Sequence, residues 1–128
     1  LKFDSVLPHL VYAGADAVVI PSRFEPCGLV QMEAMRMGCI PIVRKTGGLA
    51  DSVEDYNPDK GTGTGFVFER FDPYSLMISL VRAFENFRDK KKWQELVKRA
   101  MIKDFSWDNS AEKYLELMRR AIKISTKN

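Results

Sequence analysis

Two short apolar runs, Ala17–Ile20 and Ile40–Val43, each follow a stretch of helical periodicity. Strands that alternate with helices predict an α/β fold with a parallel sheet and crossover helices. The runs are continuously apolar, as expected of strands buried on both faces. With Phe66–Phe68 and a short candidate at Ser52–Tyr56, three or four strands are expected. A complete doubly wound domain has about five or six. The chain is therefore read as a partial Rossmann-like parallel sheet with flanking helices, its first strand presenting an unpaired edge.

The elements are justified in order. Asp4–Gly14 carries Val6, Leu7, Leu10 and Val11 at helical spacing, with Gly14 as the stop. Pro21–Pro26 is a polar loop after the first strand, and Gly28–Met37 is a helix stopped by Gly38. Thr46-Gly47-Gly48 is a turn, followed by a short helix at Leu49–Asp51. Asn57–Gly65, with Pro58 and three glycines, is a loop. Asp72-Pro73 is a cap with proline at the first helical position. Met77, Leu80, Val81, Phe84 and Phe87 then form one apolar stripe. Trp93, Leu96, Val97, Ala100 and Met101 form the next. Asn109 with Glu112 resembles a capping box, and Ala111, Tyr114, Leu115, Met118, Ala121 and Ile122 continue a last amphipathic helix at about 109–124.

Composition limits the function. The 128 residues are 45% hydrophobic and 29% charged, which excludes a mainly disordered chain. No apolar run approaches the ~20 residues of a membrane span. Cys27, Cys39 and the single His9 match no metal-ligand spacing, so no metal and two free thiols are expected. Leu1–Leu10 carries Asp4 and Pro8 and lacks the apolar segment of a secretory leader, and the chain does not begin with Met, which suggests an excised piece. Residues 88–103 hold 7 basic and 2 acidic side chains. A nucleic-acid contact would need such a patch, but a solvated helix face explains it more simply.

The chemistry is expected in Pro21–Glu33, just past the carboxyl end of a parallel strand, where open α/β sheets bind ligands. The helix opening at Gly28 has no Ser, Thr, Asp or Asn in its first positions. The N–H groups of Gly28, Leu29 and Val30 are therefore available to an anion, and a phosphate suits them. Glu25, just ahead of that helix, would be repelled by a phosphate and is better aimed at neutral sugar hydroxyls. Glu33 could accept hydrogen bonds from a ribose diol. Local bridging explains Glu25 equally well, and a surface helix residue is the simpler reading of Glu33. Arg44 and Lys45 are either counter-charges for a diphosphate or surface residues. Gly61–Gly65 precedes a strand, so it fails the context of a phosphate loop. A nucleophilic Cys27 would need a base, and His9 is the only histidine.

Ser22-Arg-Phe-Glu-Pro-Cys-Gly-Leu29 followed by Val43-Arg-Lys-Thr-Gly-Gly-Leu-Ala-Asp-Ser-Val53 resembles bacterial glycogen synthases and plant starch synthases. Tyr12–Asp16, Gly63–Phe66 and Asp104–Trp107 match as well, so the resemblance covers nearly the whole chain. It implies a GT-B enzyme of two Rossmann-like domains, of which residues 1–128 would form the later part of the C-terminal, nucleotide-sugar-binding domain. It implies transfer of glucose, with retention, from ADP-glucose or UDP-glucose to the nonreducing end of an α-1,4-glucan, with no metal or other cofactor. By the same resemblance Glu25 contacts the donor glucose. The amides of Cys27, Gly28 and Leu29 hold the diphosphate, and Glu33 completes a Glu-x7-Glu spacing and binds ribose. Many bacterial glycogen synthases have Tyr at that position. Thr46, Gly47 and Gly48 line the donor pocket; a plain strand-to-helix turn is the other reading, and both can hold. Phe3 falls near the adenine or packs in the core.

The implied partners are a nucleotide sugar and, through an N-terminal domain, the glucan, with neither nucleic acid nor membrane. The implied setting is the cytoplasm, or the plastid of a plant. The full protein is expected to be active and this chain alone inactive. The alternatives are another retaining nucleotide-sugar glycosyltransferase, or a noncatalytic glucan or protein interaction module.

Overall fold

The computed structural model describes Asp4 and residues 6–125. Its elements are α1 (Leu7–Gly14), β1 (Ala17–Ile20), α2 (Val30–Arg36), β2 (Ile40–Arg44), α3 (Gly47–Ser52), β3 (Phe66–Phe68), α4 (Pro73–Arg88), α5 (Lys90–Ile102) and α6 (Trp107–Ser125). The sheet has the order β1-β2-β3 and is parallel throughout. Ala17 pairs with Ile40 and Ile20 with Val43, while Ile42 pairs with Phe66 and Arg44 with Phe68. The α/β fold and its partial parallel sheet are as expected.

β2 is the central strand, and only Arg44 among its residues is not buried. Its neighbours α2, α3, α4 and α5 supply Met35, Leu49, Ala83, Trp93, Leu96 and Ala100 to one core around Ile40, Val43 and Phe66. The Phe66 ring stacks on Trp93 with centroids 6.2 Å apart and meets the edge of Tyr56 at 5.7 Å. A fully buried Leu or Phe contributes roughly 1.5–3 kcal/mol, so these few side chains carry much of the fold. A smaller cluster of Tyr12, Ala34 and Cys39 joins α1 to α2.

Several expectations are corrected. The first helix begins at Leu7 and not at Asp4, because the Asp4 carboxylate accepts the N–H groups of Val6 and Leu7 at 2.8 and 2.9 Å. α2 begins at Val30 and not at Gly28, whose φ of +71° is incompatible with a right-handed helix. α3 is longer than expected and takes in Gly47 through Ser52. Ser52–Tyr56 is not a strand. The segment makes only an isolated bridge at Asp55 with Gly65, and the Asp55 carboxylate takes the Val67 N–H at 2.8 Å. A side chain thus occupies a donor that a fourth strand would have used.

The expected α4 stripe is only half right. Leu80 and Phe87 pack on the core, but Met77, Val81 and Phe84 are exposed, and the small Ser79 and Ala83 face inward. Small residues let α4 lie close on the sheet. The α5 stripe is as expected for Trp93, Leu96 and Ala100. α6 begins two residues before Asn109, and its cap is also different. Ser106 Oγ accepts the Asn109 N–H at 3.3 Å, and Asp104 Oδ1 accepts the Ser106 N–H at 2.8 Å. No residue of α6 is buried. Among the described residues, no helix is long and apolar enough to cross a membrane.

Candidate functional site

Two loops meet at the carboxyl ends of β1 and β2. The first runs from Pro21 to Leu29 and carries Glu25; the second is the Lys45–Gly48 turn into α3. Gly48 N–H donates to the Glu25 carbonyl at 3.1 Å. The approach leaves no room for side chains. A Cβ on Gly48 would lie 1.7 Å from the Cys27 carbonyl oxygen, and one on Gly47 would lie 2.0 Å from that of Glu25. The two glycines therefore hold the loops backbone to backbone.

The Glu25 loop is also fastened from β2. Arg44 Nε donates to the Ser22 carbonyl at 2.9 Å, and its terminal nitrogen donates to the Arg23 carbonyl. The same guanidinium lies 5.5 Å from the Phe71 ring centroid. Arg44 is thus spent on the loop. Lys45 pairs with Glu69 at 2.8 Å, which holds the Glu69 carboxyl below its usual range. Both cations have partners within this chain, Arg44 in two loop carbonyls and Lys45 in an exposed ion pair.

Glu25 is half-buried, and Ser22 Oγ donates to its Oε2 at 3.3 Å. One oxygen is thereby steadied. Cys27 and Leu29 are exposed, and Gly28 is half-buried. Leu29 is the N-cap of α2, and no side chain caps that helix. Val30 is its first residue. The amides of this turn can meet an anion, with a carboxylate four or fewer residues away. Thr46 is the N-cap of α3, and its hydroxyl does not bond to that helix.

Glu33 stands one turn into α2, its N–H donating to the Leu29 carbonyl at 2.9 Å. It lines a groove of about 580 Å³ with His9, Met32, Arg36, Lys103 and Phe105. Burial raises the Tyr12 phenol, and the Glu33 charge adds to the shift; His9 of α1 lines the same groove, which puts Glu33 on the α1 side of α2. Phe3 lies outside the described residues. His9 shares the Glu33 groove. Cys27 and Cys39 are both free thiols; Cys39 is buried, and burial pushes its thiol up to about 11. Among the described residues, no group of three or more His, Cys, Asp or Glu is arranged to hold a metal. In the basic run, Trp93 is buried and unavailable for stacking on a base, Arg99 donates to the Gly63 carbonyl, and Lys103 pairs with Glu54.

Sequence reasoning missed Gln31 and Ser52. Gln31 is fully buried, and its Nε2 donates to the Gly28 carbonyl at 2.9 Å and to Ser52 Oγ at 3.0 Å. Ser52 Oγ in turn donates to the Gly48 carbonyl at 2.5 Å. A signal was available: Gln31, Ala34 and Met35 share one helical face, so a polar group was bound to be buried beside apolar ones.

Comparison with known proteins gives these features a setting. The family described as Glycosyl transferases group 1 matches residues 2–100. The glycogen synthase of Fervidobacterium nodosum is 53% identical over 121 residues, which are 94% of this chain and 25% of that protein. Glycogen synthase 1 of Synechocystis sp. is 51% identical over 122 residues, 95% of this chain and 26% of that protein. The chain thus spans about a quarter of the length of the curated relatives it matches. The catalytic domain of starch synthase IV from Arabidopsis thaliana, solved bound to ADP and acarbose, superposes with a TM-score of 0.83 at 48% identity. That match covers 96% of this chain and 26% of that one. Sucrose-phosphate synthase from Thermosynechococcus elongatus superposes with a TM-score of 0.65 at 25% identity, covering 96% of this chain and 29% of that one. The chain belongs to the group 1 glycosyltransferases.

Proposed function

We propose that this chain is the later part of the nucleotide-sugar-binding domain of a glycogen or starch synthase. The whole enzyme transfers glucose from ADP-glucose or UDP-glucose to the nonreducing end of an α-1,4-glucan, with retention and without a metal or other cofactor. The observation that carries this reading is the Glu25 loop, locked to the Gly47-Gly48 turn beside the uncapped start of α2. The sequence identity to glycogen synthases supports it, as does the likeness to a starch synthase solved with ADP and acarbose.

In this reading the backbone amides of Cys27, Gly28, Leu29 and Val30 hold the diphosphate through oriented N–H groups and the positive end of the helix. Glu25 faces the donor glucose and stabilises the positive charge that grows at its ring as the bond to phosphate breaks. Ser22 keeps that carboxylate from swinging away. Thr46, Gly47 and Gly48 form the opposite wall. Glu33 accepts from the ribose hydroxyls, and Phe3 lies by the adenine. The glucan is held by a preceding domain, so donor and acceptor meet only in the closed two-domain enzyme. The buried Trp93 and the internally paired Arg99 and Lys103 favour a solvated helix face over a nucleic-acid contact. The setting is the cytoplasm, or the plastid in a plant.

The test is glucose transfer to glycogen by the full-length protein, from each donor in turn. Glu25→Ala is expected to lower transfer by at least about 100-fold, as for loss of a group that stabilises transition-state charge, with ADP binding largely kept. Full transfer by the variant would remove Glu25 from the reacting sugar. No transfer by the folded wild type from either donor would favour another sugar nucleotide or a noncatalytic module.

A further inference from the structure

We infer that Gln31 is a positioning residue that aims the diphosphate-binding amides, acting through Ser52 as one buried unit; this rests on the glycosyltransferase reading above. The carboxamide orientation is fixed by its neighbours. Gln31 Nε2 faces the Gly28 carbonyl, the Cys27 carbonyl at 3.4 Å and Ser52 Oγ. Exchanging its oxygen and nitrogen would set oxygen against two carbonyls, so the nitrogen must lie there. Nε2 can only donate, hence Ser52 Oγ accepts from it and its single proton goes to the Gly48 carbonyl. Gly48 N–H closes the circuit on the Glu25 carbonyl. Both loops of the site are therefore tied to one carboxamide in the core.

The consequence follows from peptide geometry. In a trans peptide the C=O and the next N–H point to opposite sides, and the chain has no cis bond among its described residues. Pulling the Gly28 carbonyl toward Gln31 turns the Leu29 N–H the other way. The Cys27 carbonyl, at 3.4 Å, only shares one of the two Nε2 protons, so the hold on the turn runs through the Gly28 carbonyl. The side chain never reaches the ligand, but it selects which face of the turn presents donors. Gln31 Oε1 is buried without a partner among the described residues. It lies 2.6 Å from the place of a Gly28 Cβ, at a turn whose φ of +71° already favours glycine.

The test uses the full-length protein with Gln31→Met, Ser52→Ala and Ser52→Thr. Donor KM, glycogen KM, maximal rate and ADP affinity by calorimetry are measured for each. Gln31→Met keeps the length and removes both donors. It is expected to raise donor KM and weaken ADP binding about tenfold, the scale of losing a buried hydrogen bond that orients a ligand group, and to leave glycogen KM unchanged. Ser52→Ala is expected to do the same to a smaller degree, and Ser52→Thr, which keeps the hydroxyl, to restore donor KM. A merely destabilised enzyme would lose active molecules, lowering the maximal rate with donor KM intact; that pattern would overturn the inference. So would folded Ser52→Ala and Gln31→Met with wild-type ADP affinity. If Gln31→Met fails to fold, the Ser52 pair decides alone. Absence of transfer and of ADP binding in the folded wild type would instead overturn the glycosyltransferase reading itself.

Discussion

The Glu25 loop and α6 are opposites. The loop has no regular secondary structure, yet its backbone is held by Arg44, Gln31 and the Gly48 amide. α6 is a regular helix of 19 residues, yet it buries nothing. Tyr114, Leu115, Met118 and Ile122 lie along it, all exposed. Regularity and anchoring are thus separate properties. A helix satisfies its own backbone, so α6 keeps its form although its apolar stripe meets no core among the described residues. A loop beside a ligand site does not, and its carbonyls must be answered one by one by the side chains around it.

The sharpest way to break the contrast is Gly48→Ala. The new methyl would meet a backbone carbonyl that has no rotamer to escape into. Overpacking costs about 1–3 kcal/mol, and the upper end is expected where the clash is with backbone. Denaturant unfolding should show that loss, together with loss of donor binding by the full-length enzyme. A variant as stable as wild type would mean that the loops are not locked.

A second comparison uses acid. The Ser75 N–H and hydroxyl hold the Asp72 carboxyl at the start of α4 below its usual range. The Ser106 N–H and hydroxyl do the same for Asp104 just before α6. Each folded-state value lies below the ordinary 3.8. Each contribution is therefore complete above that value and is lost as pH falls through the lowered one. α4 is packed and α6 is not. As pH drops below the ordinary carboxylate range, protection of the first turn of α6 should fall about tenfold. That of α4 should hold within about twofold. Hydrogen exchange followed by NMR would decide, and equal fraying would show that tertiary packing does not separate the two helices.

The smallest effect is expected within α6. Leu115→Asp with Met118→Asp should leave the unfolding free energy of the 128-residue chain within about 0.5 kcal/mol, as for surface substitutions. A loss well above that would show that the stripe is covered in solution.

Much of this was legible in the sequence. β1, β2 and β3 stand on the apolar runs Ala17–Ile20, Ile40–Val43 and Phe66–Phe68, and their parallel pairing follows from alternation with helices. The family could be read from the string around Glu25. What could not be read depends on distant pairs. Gln31 meets Ser52 across 21 positions, and no local pattern couples them. The Thr46–Gly48 turn suggested a wall for a ligand, but the contact that requires its glycines is with Glu25 and Cys27. Arg44 suggested an anion partner and is used up on two carbonyls of its own chain. On α4 the obvious stripe misled because closeness to the sheet favours Ser79 and Ala83 over larger residues. Periodicity reports which residues are apolar, whereas the sheet decides how near a helix can come.

The backbone contact at Gly47 and Gly48 has a consequence at the level of the gene. Every amino acid other than glycine brings a Cβ, and at these two positions even that single carbon has no place to go. Each missense change in either codon is therefore a steric insult to the Glu25 loop, whatever its chemistry. A saturation library scored for transfer should keep only synonymous changes at both codons, while neighbouring Ala50 and Asp51, which are exposed, accept many. The two codons would be fixed points beside tolerant positions of the same short helix, α3.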